Sequence, residues 1–117
     1  MKTVHNKLVR DRIPDFLHAK GIFASARTLP KEQLLQELLG KLEEEAIEAK
    51  TAERSKLAEE LGDLLELLEA IASEAGIPWE EVVKKQAAKR VERGGFQQGV
   101  FLEYTEETED EHGREQQ

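Results

Sequence analysis

The 117-residue chain contains no cysteine. That absence excludes disulfide scaffolds, thiolate metal sites and cysteine nucleophiles together, and it suits a reducing, cytoplasmic setting. No apolar run approaches the ~18 residues that a membrane span requires. The N-terminus also lacks the apolar region of a signal peptide, so neither a membrane anchor nor a leader is expected. A positive net charge is missing too: 25 Asp and Glu stand against 17 Lys and Arg, leaving −8. Such a surface repels a phosphate backbone and argues against polynucleotide binding. Charged residues make up 36% of the chain and apolar ones 38%, so a core forms only if the apolar residues are strictly patterned. This length suits one domain.

The charge is segregated along the chain. Residues 1–20 carry five basic and two acidic residues, whereas residues 31–66 carry five basic and eleven acidic ones. The sign reverses over residues 84–96, with five basic residues and one acid. Residues 105–117 hold six acids, one Arg and no apolar anchor, and read as a disordered acidic tail behind a single domain over residues 1–104.

The apolar residues repeat with helical spacing. Pro14 pushes its predecessor out of helical geometry, and a short helix is predicted from about Pro14 to Lys20, stopped by Gly21. Residues 22–27 read as a short strand or a loop. Pro30 suits a helix start, and Leu35, Leu38, Leu39, Leu42, Ala46 and Ala49 recur along a helix running to about Ala52. Ser55 reads as the cap of the next helix, whose stripe is Leu57, Leu61, Leu64, Leu68, Ile71 and Ala72 and which ends at Gly76. Pro78 opens a further helix with Val82, Val83, Ala87 and Val91 inside, ending at Gly94 and Gly95. Gly99 to Leu102 reads as an extended segment packing on the bundle, with Phe96, Phe101 and Trp79 as packing residues. The expected fold is all-α, built on two long antiparallel helices. Two such helices do not bury both faces alone, so a homodimer or homotetramer is expected.

Most of the Glu residues read as solvated helix faces. Position around the helix, at ~100° per residue, separates a few of them. Glu44 falls opposite its apolar stripe, while Glu45 lies about 80° from the stripe centre, with Glu48 one turn further on. On the second long helix Glu59 and Glu66 point outward, Glu60 falls inside the apolar arc and Asp63 lies at its edge. Each long helix therefore carries an i, i+3 acidic pair beside its stripe. If antiparallel packing joins them, four carboxylates converge and repel one another, and a divalent cation relieves them. Hard oxygen donors suit Mg²⁺ or Mn²⁺. A di-iron site needs Glu-x-x-His motifs on the helices, but the histidines are His5, His18 and His112, outside both long helices. That also disfavours zinc.

The segments NKLVRDRIP, KLEEEAIEA, EELGDLLELLEAI and KRVERGGF, in this order, resemble the all-α nucleoside triphosphate pyrophosphohydrolases, the MazG-like and phosphoribosyl-ATP-pyrophosphohydrolase-like superfamily. The similarity is to the small house-cleaning branch and covers residues 6–102. It implies a helical bundle that dimerises or tetramerises. It also implies Mg²⁺-dependent hydrolysis of a nucleotide between its α- and β-phosphates, giving a monophosphate and pyrophosphate. The family's E-x-x-E and E-x-x-D metal motif falls on Glu45, Glu48, Glu60 and Asp63. Glu45 and Glu48 are both candidates for the general base. Lys7, Arg10 and Arg12 form one basic cluster and Lys89, Arg90 and Arg93 a second; each reads either as a solvated surface or as phosphate contacts, and Asn6 as a contact to base or ribose. The rival readings are a phosphoribosyl-ATP pyrophosphohydrolase and a non-catalytic helical interaction module.

Overall fold

The computed structural model describes residues 1–107, and these form four helices and no strand. They are α1 (Ile13–Ala19), α2 (Lys31–Thr51), α3 (Arg54–Glu74) and α4 (Trp79–Arg93). The all-α reading holds. Residues 22–27 are loop, and most of the acidic tail, residues 108–117, lies outside the described residues.

α2 and α3 each have 21 residues, about 31 Å at 1.5 Å per residue. Between them stand only Ala52 and Glu53, both extended, with ψ of 151° and 153°. So short a link folds α3 back along α2. Lys31, at the start of α2, reaches Glu74, at the end of α3, with Nζ to Oε2 at 3.7 Å. Ser55 is not the cap of α3. The cap position is Glu53, without a side-chain bond, and Ser55 already lies inside the helix. A capping side chain needs non-helical backbone, and the two extended residues place that backbone earlier.

Glycine ends α1 and α3 in the same way. After α3, Gly76 takes φ +75°, its N–H donates to the Ser73 carbonyl, and the Ile77 N–H donates to the Ala72 carbonyl at 2.8 Å. Gly21 does the same after α1, with φ +77° and bonds from Gly21 and Ile22 back to His18 and Leu17. This pair of reversed bonds satisfies carbonyls that the helix end would otherwise strand.

The core is small. Among the described residues only Leu38, Leu67 and Ala72 are buried, all on the α2–α3 seam. Leu35, Leu42, Leu57, Leu64 and Ile71 are half-buried around them. Leu39, Leu61 and Leu68, expected in the stripes, remain exposed, as do Ile47 and Leu65. α4 meets α3 over few residues. Val83, Ala87 and Val91 are therefore not inside, and Val91 is 88% exposed. Nor does the segment after α4 pack on the bundle: Phe96 is 95% and Phe101 85% exposed, and Val100 and Leu102 are exposed beside them. Helical spacing shows which side of a helix is apolar, but not whether the same chain supplies the surface that covers it. Trp79 is half-buried, as expected of a packing residue.

Gly76→Ala tests the turn that launches α4. A Cβ at Gly76 would meet nothing within 4 Å, so the cost is backbone conformation alone. The variant is expected to lose about 1 kcal/mol in urea denaturation with an unchanged denaturant slope.

Candidate metal centre

Glu45 and Glu60 come together because of the antiparallel register. The residue numbers of Lys31 and Glu74 add to the same total as those of Glu45 and Glu60, as one uninterrupted register demands. One carboxylate oxygen each from Glu45, Glu60 and Asp63 lies within 4.8 Å of the other two, and all three residues are half-buried. Glu48, the fourth expected ligand, is exposed and contributes no oxygen to this group. Its charge nevertheless acts on both Glu45 and Glu60.

The electrostatics reflect that crowding. Burial, then the charges of Glu48, Asp63 and Glu44, push the Glu45 carboxyl above its ordinary range, against a lowering by Lys41. Burial comes first for Glu60 as well, followed by Glu48, Asp63, Glu45 and Glu59. Glu60 Oε1 is shielded from solvent and has no hydrogen-bond partner among the described residues. A solvent-shielded carboxylate oxygen without a donor is costly unless a cation meets it. The donor set is all carboxylate oxygen, which suits a hard divalent ion such as Mg²⁺ or Mn²⁺.

The first basic cluster divides. Arg10 Nη2 donates to Asp63 Oδ1 at 2.8 Å, joining the irregular N-terminal segment to α3. Lys7 lines a cleft of about 490 Å³ with Asn6, Gln36, Gly40, Lys41 and Glu44. Arg12 is exposed at the start of α1. A second cleft of about 250 Å³ reaches two of the three acids, Glu45 and Asp63, with Arg10, Lys41 and Glu66 beside them. The α4 cluster is elsewhere: Lys89, Arg90 and Arg93 line neither cleft. Arg93 approaches Glu92 at 3.9 Å. The room that Gly95 leaves is taken by the chain itself, since a Cβ there would lie 2.6 Å from Arg90 Nη1 and from Gln97 Oε1.

Lys41 is the site residue that the sequence reading passed over. It lines both clefts and lowers the pKa of Glu45. Its position four residues before Glu45 is the signal that points to it, because that spacing puts both on one helix face.

No protein-family model, no curated protein and no solved structure matches the chain.

The pKa directions set the behaviour of the metal-free protein. The folded values of Glu45 and Glu60 lie above the unfolded value near 4.5, so within that window the native state binds more protons. Stability therefore falls as pH rises from about 4.5 through the folded values. In EDTA at neutral pH, Glu60→Gln is expected to melt higher than wild type, and the difference should vanish at about pH 4. If the three carboxylates hold Mn²⁺, the order is expected to reverse, because at about one hundred times its Kd the ion adds about 2.7 kcal/mol to wild type and less to the variant. Differential scanning fluorimetry with and without EDTA reads all of these shifts.

Proposed function

We propose that the chain is a metal-dependent nucleoside triphosphate pyrophosphohydrolase of the MazG-like all-α type, acting on non-canonical nucleotides as a homodimer or homotetramer. One observation carries this reading. Glu45, Glu60 and Asp63 bring their oxygens together in a half-buried setting, one oxygen of Glu60 lacks any partner, and these are three of the four positions picked out by the E-x-x-E and E-x-x-D pattern. A charged surface in a non-catalytic module has no need to shield a carboxylate oxygen without a partner.

In this reading Glu45, Glu60 and Asp63 hold a Mg²⁺ or Mn²⁺ ion. When bound, such an ion offsets triphosphate charge and acidifies nearby water. Glu48 remains outside the three-oxygen group and is the general base, accepting the proton of the attacking water. Lys41 and Lys7, on the cleft walls, meet the phosphates, with Arg10 and Arg12 close in sequence. Charge that develops on the departing pyrophosphate needs such cations. Within one chain Lys89, Arg90 and Arg93 line neither cleft, so their phosphate role requires a second copy.

Self-association has its own support. Leu61, Leu65 and Leu68 are exposed and share one face of α3 by their spacing, with Leu39 and Ile47 exposed on α2. The double variant Leu61→Glu, Leu65→Glu is expected to run as a monomer in size-exclusion chromatography with light scattering, where wild type runs as a dimer or tetramer.

Activity is tested with a panel of canonical and modified nucleoside triphosphates in Mg²⁺, the products being identified by mass. Monophosphate with pyrophosphate is the expected outcome; orthophosphate release, or no turnover on any substrate including phosphoribosyl-ATP, overturns the reading. Glu48→Gln is expected to lower kcat by about 10²- to 10⁴-fold while leaving Mn²⁺ binding in place.

A further inference from the structure

Among the described residues, Asp63 alone of the three carboxylates in the acidic group has a cation bonded to it, and that cation is Arg10. One guanidinium does not neutralise three carboxylates, and the partnerless oxygen belongs to Glu60 rather than to Asp63. We propose that Arg10 is the resident counter-ion of the acidic group, exchanged for the divalent cation when metal binds and thereby released to the triphosphate. The inference rests on the metal-dependent reading above and specifies the order of events at the same site.

Three features support an exchange rather than a permanent tie. The pair is weak for its distance: at 2.8 Å its side chains are still 57% and 34% exposed, and solvated pairs of this kind contribute little. Arg10 also stands on irregular backbone before α1, whereas the three acids are fixed on helices. The segment that carries it can therefore move without unwinding a helix. Finally, a dication in this group repels a guanidinium bonded to Asp63, because both sit against the same charges. Once displaced, Arg10 is still anchored beside the cleft that it lines. Its planar fork matches phosphate oxygens in a way that the point charge of Lys41 does not.

The exchange has a signature that simple charge attraction lacks: loss of Arg10 should help the metal and harm the polyphosphate. Mn²⁺ binding is measured by titration calorimetry, and binding of inorganic tripolyphosphate is then measured in saturating Mn²⁺. Arg10→Ala is expected to bind Mn²⁺ about two- to five-fold more tightly than wild type and tripolyphosphate about ten-fold more weakly. Arg12→Ala removes the same charge from the same segment without breaking a bond to the acids, and should tighten Mn²⁺ less. Arg10→Gln, together with circular dichroism of every variant, separates the effect from misfolding. Unchanged or weaker Mn²⁺ binding by Arg10→Ala overturns the exchange, as does equal tightening by Arg12→Ala. A wild-type protein that binds no Mn²⁺ overturns the metal-dependent reading and the exchange with it. Wild-type binding without a tightened Arg10 variant overturns the exchange alone.

Discussion

The structure turns on repulsion between carboxylates that the antiparallel register of α2 and α3 forces together. The two-residue link and the shared seam around Leu38 and Leu67 set that register. Once it is set, Glu45 faces Glu60, and Asp63, one turn along, joins them. Separating the acids would mean sliding one helix along the other and exposing the buried residues. The fold therefore holds the acids in place at the expense of raised carboxyl pKa values. In the proposed metal-dependent reading, the scaffold carries the repulsion in advance and a bound cation would relieve it.

The same economy explains why the core is so slight. Three buried residues, one on α2 and two on α3, are few for the 107 described residues. The apolar surface left over is spread along the described residues, from Val4, Phe16 and Phe23 through Leu39 and Ile47 to one face of α3, α4 and the segment after it. The acidic group sits beside the seam, away from Val91 and Phe101 by sequence and by cleft lining.

Much of this was legible in the residues. Helix spacing placed α2, α3 and α4 to within a residue or two, and glycines marked the ends of α3 and α4. Position around the helix, which follows directly from position in the chain, singled out Glu45, Glu48, Glu60 and Asp63, and three of these four come together. Glu48 shares an edge with Glu45, but an edge is wide enough to hold one residue half-buried and the next exposed. The missed features have separate causes. Arg10 reaches Asp63 from irregular backbone, where no period predicts direction. Ser55 has the chemistry of a cap but lies beyond the point where the helix begins. Val91, Phe96 and Phe101 are apolar, yet their burial depends on a surface that their own chain does not provide.

The net charge of −8 gains a different meaning when it is resolved onto the fold. As one number it describes a surface that repels nucleic acid. In three dimensions Glu45, Glu60 and Asp63 converge, and bases from two separate stretches, Arg10 and Lys41, share a cleft with Glu45 and Asp63. A cation alone would be served by the acids and hindered by those bases, while a polyphosphate alone would be served by the bases and repelled by the acids. Only a ligand that brings both signs, a divalent ion with its polyphosphate, gains from every charge in the cleft. The geometry of opposed charges therefore argues for the pair as the ligand more strongly than either cluster argues for its own half.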